Sequence, residues 1–169
     1  MDATALRALQ APIKDRYRAD AEAAVVTLKA QGTLDDQSIA CKVETGRALA
    51  VAGLHPASGG SGLELCSGDM LLEALVACAG VTLKAVATAL EIPLRSGTVR
   101  AEGDLDFRGT LGVDKGAPVG FRAIRLAFEV DTDAPQEKID QLLKLTERYC
   151  VVFQTLNHKP ELKVAAARG

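Results

Sequence analysis

Two cysteines in similar apolar surroundings are the residues of this chain best suited to do chemistry. Cys78 lies near the middle of SGDMLLEALVACAGVTLKAVATAL, residues 67–90, and Cys150 lies in ERYCVVFQTL. A thiol becomes a nucleophile when it loses its proton, so a pair of thiols is open to redox chemistry. Free cysteine is also among the most buried residue types, and there it packs as a small hydrophobe. Redox-active thiols and inert core thiols are therefore the two interpretations of this pair.

The other cysteines and the histidines add no recognisable site. None of the four cysteines forms a C-x-x-C pair, and Cys41 and Cys66 do not suggest a disulfide framework, which belongs to small secreted domains. His55 and His158 each stand close to a proline, without acidic or cysteine ligands at metal spacing. We therefore expect no metal and no cofactor.

The composition fits one compact domain without a surface for nucleic acid. The 169 residues are 48% hydrophobic, with a formal net charge of -2 and a pI near 5.7. This balance gives no basic patch for nucleic acid or an anionic membrane surface. The N-terminal stretch lacks the apolar core of a secretory signal, so we expect a cytoplasmic protein. Glu73 and Lys84 leave only residues 74–83 uncharged, too short a stretch for a membrane span.

The stretch around Cys78 predicts a long helix. From Met70 on, its only charges are Glu73 and Lys84, so the helix is apolar around nearly its whole circumference and must be enclosed on every side. Ser67 and Asp69 are both suitable N-caps. Cys78 would then be a thiol inside a wrapped core.

Strands are predicted on both sides of this helix. Residues 98–108 and 121–131 alternate apolar and polar side chains with a period of two, which predicts a long hairpin with one solvated face. Upstream, an antiparallel meander is predicted from three short runs rich in β-branched and aliphatic residues: 24–34, 38–45 and 48–53.

The remaining elements are predicted from residues that start or interrupt helices. Pro135 marks the start of an amphipathic helix that carries Cys150, and the β-branched pair at 151–152 leaves room for a kink beside that cysteine. Residues 161–166 are expected to form a last edge strand. Residues 6–17 are expected to form only a short helix or an arm, because Pro12 interrupts any helix there.

These elements predict an α+β fold, because runs of strands alternate with single helices and several neighbours are joined by hairpins. One sheet face and one partner helix do not suffice to cover a helix that is apolar all round. A second copy of the chain would supply the missing wall, so we predict an obligate homodimer.

The two cysteine stretches together resemble a known family. SGDMLLEALVACAGVTLKAV followed by ERYCVVFQTL is similar to the signature of the OsmC/Ohr superfamily of osmotically induced and organic hydroperoxide resistance proteins. That signature is an apolar helix of the form acid-x-L-L-x-A-x-x-A-C and a second helix with [KR]-Y-C. The resemblance implies an OsmC-like domain over 24–169 after an N-terminal extension, 1–23. It also implies antiparallel sheets wrapped around two long central helices in an intertwined homodimer.

The resemblance implies a role for each cysteine. In active members the first cysteine reduces a peroxide and the second resolves the product as a disulfide. Carried over by position, Cys78 would be the peroxidatic thiol and Cys150 the resolving thiol. Cys66 is outside the family pattern, and it is either an alternative disulfide partner or a bystander.

The resemblance also implies groups that hold the thiolate, an arginine from the N-terminal strands and a glutamate at the start of the cysteine helix. Arg47 is the candidate arginine, and an exposed hairpin arginine is its alternative interpretation. Asp69 is closest to the family's acidic position, and Glu73 lies one turn further on. Such partners are needed because burial raises a thiol pKa, and Cys78 lies too far from the start of its own helix to benefit much from the dipole.

We therefore expect a homodimeric peroxidase-like protein that reduces organic hydroperoxides or hydrogen peroxide and is regenerated by an external thiol. The alternative is a non-catalytic dimeric member of the family that binds a small apolar ligand or senses oxidants.

Overall fold

The computed structural model describes residues 2–19, 31–34, 40–44, 49–112 and 114–167. Its elements in chain order are α1 (Ala3–Ala19), β1 (Gln31–Leu34), β2 (Ala40–Glu44), β3 (Leu49–Gly53), a 3-10 turn (Pro56–Ser58), β4 (Leu65–Cys66), α2 (Ser67–Ala89), β5 (Ser96–Asp104), α3 (Phe107–Thr110), β6 (Ala123–Asp131), α4 (Gln136–Tyr149) and α5 (Val151–Asn157). The mixture of helices with small, mostly antiparallel sheets confirms the predicted α+β class.

The upstream strands form the expected meander. β1 pairs antiparallel with β2, and β2 pairs antiparallel with β3. The two-residue β4, which the sequence pattern did not reveal, joins β3 in parallel and leads directly into α2. Of the predicted runs, residues 24–30, 38–39, 45 and 48 lie outside the described residues.

The long hairpin is present with one apolar and one solvated face. β5 and β6 pair in register from Ser96 opposite Asp131 to Asp104 opposite Ala123. Exposure alternates along both strands. On the solvated face Arg125 bridges to Asp104 at 2.5 Å, and further cross-strand ion pairs lie beside it. β5 ends at Asp104 rather than at the predicted Arg108, because the chain then turns into α3.

Helix α2 begins one residue earlier than its predicted caps. Cys66 occupies the N-cap position without a side-chain capping bond, so Ser67 is the first helical residue and Asp69 lies in the first turn. The prediction that Ser67 or Asp69 caps this helix is therefore wrong. The extended backbone of β4 runs straight into the helix and leaves no separate capping residue between them.

The C-terminal end of α2 is closed by a Schellman motif. The N–H of Ile92 bonds to the Ala87 carbonyl at 2.9 Å, and the N–H of Glu91 bonds to the Thr88 carbonyl at 3.2 Å. Glu91 has a φ of 59°, the left-handed conformation that usually requires glycine. Its carboxylate bonds to Arg7 of α1 at 2.7 Å. Buried Ile92 packs into the same cluster as Ala87, which completes the motif.

Within one chain, α2 is buried along a single stripe. Every fourth residue from Leu75 to Ala87 is buried, and these residues pack against the hairpin and against α4 and α5. The opposite side is open, and Val81 is 72% exposed. The expected enclosure on every side is thus not present in a single chain. By length and composition α2 could also span a membrane, although here its buried stripe forms the core.

The second cysteine lies at a break between two helices, beside the predicted kink. α4 ends at Tyr149, Cys150 is extended with φ -73° and ψ 108°, and α5 begins at Val151. On α4, Leu142 and Thr146 are fully buried, and Leu142 packs against Leu83 and Ala87 of α2.

Two predictions for the chain ends are wrong. α1 continues through Pro12 as one helix, and it lies against α2, where Arg7 bonds to Glu91. A proline ring removes one helical hydrogen bond, but packing and flanking bonds can hold the remaining turns. Residues 161–166 form no strand, because no edge among the described residues pairs with them; Val164 is 98% exposed.

Because Leu142 is buried and Leu63 is exposed, replacing each by alanine should change the free energy of unfolding by different amounts. Leu142→Ala should lower the free energy of unfolding by about 2–5 kcal/mol, because Leu142 is fully buried. Leu63→Ala should change it by less than about 0.5 kcal/mol, because Leu63 is 91% exposed. Urea unfolding at one protein concentration measures both. Equal losses in the two variants would contradict this core.

Candidate thiol site

The fold brings Cys78 and Cys150 together. Cys150 is completely buried in a cluster with Leu75 and Ala79 of α2, and half-buried Cys78 packs against that cluster. The two thiols lie close enough for each to shift the pKa of the other. Helix α2 supplies one sulfur, and the junction between α4 and α5 supplies the other.

The extended backbone at Cys150 frees hydrogen-bond donors at this place. The first helical bond of α5 runs from the Gln154 N–H to the Cys150 carbonyl, 2.9 Å. The N–H groups of residues 151–153 therefore have no helical acceptor, as at any helix start. The N–H groups of Val151 and Val152 lower the pKa of the Cys78 thiol, and those of Phe153 and Val152 act in the same direction on the pKa of Cys150.

These donors hold the pKa of the Cys78 thiol below its ordinary value. Burial is the largest single influence and acts to raise the pKa, because a thiolate loses water. Hydrogen bonds to the thiolate together outweigh it; in decreasing order they come from the Val152 N–H, the Cys150 thiol, the Val151 N–H and the Thr82 hydroxyl.

The pKa of the Cys150 thiol is instead raised above its ordinary value. Burial is again the largest influence and raises it, and the neighbouring Cys78 raises it further; N–H groups of Phe153 and Val152 oppose this only in part. One negative charge next to another is unfavourable, so of the two thiols Cys78 is the one that loses its proton more readily.

The predicted acids lie elsewhere on α2. Glu73 is five residues and Asp69 nine residues before Cys78, which places them about 140° and about 180° around the helix axis from it. Both are exposed and line a cleft of about 490 Å³ with Ala77 and Ala101. Within one chain neither acid acts on the Cys78 thiol, so their catalytic role stays a prediction. Arg47 lies outside the described residues, and its role also stays a prediction.

Sequence reasoning missed the groups that do reach Cys78. It required a charged partner, whereas the described partners are two backbone N–H groups, a hydroxyl and a thiol. The signal for the backbone donors was the kink expected at Val151 and Val152. The signal for Thr82 was its spacing, one helical turn after Cys78.

A cleft with both apolar and polar walls lies next to the thiol cluster. It has a volume of about 350 Å³ and shares Leu75, Phe153 and two hairpin residues with the surroundings of Cys150. Its polar lining comes from Arg122 and Asn157. A small apolar molecule fits such a space.

Cys66 lies in a different cavity, of about 390 Å³, together with His55, Asp69 and two phenylalanines. His55 stacks on Phe107 with ring centroids 5.0 Å apart, and its Nδ1 accepts the Ala57 N–H at 3.0 Å. Across the part of the chain that the structure describes, no three His, Cys, Asp or Glu side chains are arranged to hold a metal ion.

The thiol geometry predicts how Cys78 responds to pH. Its alkylation by iodoacetamide should rise with a midpoint below that of an ordinary thiol, because the thiolate is stabilised. Cys150→Ala should move this midpoint upward, since it removes one donor, but the Val151 and Val152 N–H groups should still act. Mass spectrometry of the Cys78 peptide at a series of pH values measures both. A midpoint at or above that of a free thiol would contradict the assigned donors.

Solved structures share this fold. An OsmC like protein from Mycoplasma pneumoniae superimposes with a TM-score of 0.65 at 18% identity, covering 79% of this chain and 89% of that chain. An organic hydroperoxide resistance protein from Elizabethkingia anophelis gives 0.64 at 15% identity, with 80% and 91% coverage. An organic hydroperoxide resistance protein OsmC from Legionella pneumophila gives 0.62 at 14% identity, with 79% and 93% coverage.

At these identities the structural likeness shows the fold alone. A comparison with curated protein sequences finds no match. The family model described as OsmC-like protein matches residues 59–165, a stretch of well over half the chain that contains both Cys78 and Cys150. The chain therefore belongs to the OsmC-like family.

Proposed function

We propose that this protein is a thiol-dependent peroxidase that reduces organic hydroperoxides through Cys78 and Cys150. The observation that carries the proposal is the contact between two thiols whose pKa values are shifted in opposite directions. Membership of the OsmC-like family supports a role related to peroxides, as do structural neighbours named organic hydroperoxide resistance proteins.

The first step uses the thiolate at Cys78. Its sulfur attacks the terminal oxygen of the hydroperoxide and the O–O bond breaks, which leaves a sulfenic acid on Cys78 and an alkoxide that takes up a proton as alcohol. Peroxide is reduced by two electrons and the sulfur is oxidised by two. Cys78 is half-buried, which suits the attacking thiol better than the complete burial of Cys150.

The second step uses the proton-bearing thiol. The Cys150 sulfur attacks the sulfenic sulfur of Cys78, a disulfide forms, and the hydroxyl leaves with a proton as water. Two equivalents of an external thiol then reduce the disulfide and are themselves joined as a disulfide. Because Cys150 is fully buried, it is shielded from direct oxidation and is suited to resolve rather than to attack.

The apolar part of the cleft beside the pair supports the proposed substrate class. Leu75, Phe153 and the neighbouring hairpin residues give it apolar walls, which favour the organic part of a hydroperoxide over hydrogen peroxide.

We also propose that the active form is a homodimer. The open side of α2 exposes apolar residues such as Val81 to solvent in a single chain. A second copy that covers α2 would bury them, as in obligate dimers, whose interfaces are large and apolar.

Peroxide consumption tests the enzymatic proposal. Stopped-flow measurements with cumene hydroperoxide and dithiothreitol should show turnover by the parent and by Cys66→Ser, and at least about a hundredfold slower turnover by Cys78→Ser, because the attacking sulfur is lost. Equal rates for Cys78→Ser and the parent would remove the enzymatic proposal and leave a family member that binds an apolar ligand in the cleft.

Sedimentation tests the dimer. The parent should sediment at twice the chain mass, and Val81→Arg should shift it towards the monomer because a buried unpaired charge is costly. Val119→Arg, in the loop before β6, is the matched control and should stay dimeric. A parent that sediments at the mass of one chain would contradict the proposal.

A further inference from the structure

Phe121 lies where two cavities of the protein meet. It lines the cleft of about 350 Å³ beside the thiol cluster, and it also lines the cavity of about 390 Å³ that contains Cys66. Among the residues that the structure describes, it is the one that the two linings share. The side chain of Phe121 therefore stands between the space beside the thiol pair and the space beside Cys66.

Two glycines allow the Phe121 ring to lie close to the backbone. A Cβ at Gly103 of β5 would be 2.4 Å from Cε1 of the ring, which is too short a distance for any side chain. A Cβ at Gly68 of α2 would be 3.5 Å from Cζ of the same ring. A glycine inside a strand often marks such a close approach. The ring thus reaches from the hairpin to the first turn of α2.

The backbone next to Phe121 is held by the hairpin. The Arg122 N–H donates to the Asp104 carbonyl at 2.8 Å, which extends the contact between the two strands past Ala123. The Phe121 side chain is half-buried. It is therefore anchored both through the neighbouring backbone and through the contacts of its ring.

The position of the ring limits how far an apolar molecule can extend from the thiol cluster. Leu75 and Phe153 line the cleft on the side of that cluster. Leu72 and Leu105 offer further apolar walls, but they line the Cys66 cavity. An organic tail too long for the cleft would extend into solvent, where additional methylenes gain no apolar contact. Without the ring, the tail could continue into the Cys66 cavity.

We propose that Phe121 is a specificity-determining residue, which separates the cleft from the Cys66 cavity and thereby restricts the cleft to compact organic groups. As a statement about which hydroperoxides are reduced, this inference rests on the proposed function. As a statement about the length of apolar molecule that the cleft holds, it stands without any peroxide chemistry.

Binding of primary alcohols tests the separation of the cavities in the absence of peroxide. Alcohols are the reduced form of alkyl hydroperoxides, and a series from butanol to decanol changes only the length of the tail. Isothermal titration calorimetry on the full-length protein measures the affinities. Affinity for the parent should stop rising within the series. Phe121→Ala should continue to gain about fourfold for each further methylene, because the tail finds new apolar walls.

Phe107→Ala is the matched control, because Phe107 lines the Cys66 cavity but not the cleft, and it stacks there on His55. This variant loses a ring of the same size and should follow the parent. Identical dependence on tail length in the parent and in a folded Phe121→Ala protein would overturn the proposal, as would a failure of both to bind any of the alcohols. If circular dichroism shows that Phe121→Ala does not fold, Phe121→Leu replaces it under the same criterion.

Hydroperoxides extend the test to the choice of substrate. If the parent consumes cumene hydroperoxide, Phe121→Ala should raise kcat/KM for decyl hydroperoxide relative to tert-butyl hydroperoxide by at least about tenfold. Phe107→Ala should leave this ratio unchanged, and an unchanged ratio in Phe121→Ala would contradict the role of Phe121 in specificity. If the parent consumes no hydroperoxide, the peroxidase proposal fails, and alcohol binding alone still decides whether Phe121 separates the two cavities.

Discussion

The site depends on the extended backbone at Cys150. In an uninterrupted helix the N–H groups of Val151, Val152 and Phe153 would bond to the carbonyls four residues earlier and would not be available to any sulfur. The break redirects them into a cluster that is otherwise apolar. A buried thiolate next to a second thiol requires such donors, because burial on its own favours the neutral thiol at both positions.

The packing of α2 against the hairpin and α4 holds Cys78 opposite the break. The buried stripe of α2 packs on the apolar face of the hairpin and on α4, while the salt bridges of the hairpin face solvent. Exposed ion pairs of this kind contribute little to stability, so the packing of the stripe sets the position of the helix. A single chain does not cover the open side of α2. We propose that a second copy of the chain packs against it.

Patterns with a strong period were predictable from the sequence. The alternation in the hairpin, the length of α2 and the kink beside Cys150 each follow from the local pattern of apolar, polar and β-branched residues. The backbone donors to Cys78 were not predictable from side-chain types, because a backbone N–H carries no signature in the sequence; only the expected kink pointed to them. Helical geometry alone would have placed Asp69 and Glu73 away from Cys78 on α2. The prediction of an edge strand at 161–166 was wrong, because a short local sequence does not show whether a partner edge is available.

Disulfide mapping tests most directly whether the break makes Cys78 and Cys150 partners. The reduced full-length protein would be treated with a stoichiometric amount of cumene hydroperoxide, digested without reduction and analysed by mass spectrometry. The account predicts that a peptide linking Cys78 to Cys150 is the main oxidised product. A main product linking Cys66 to Cys78, or a Cys78 that stays reduced, would contradict it.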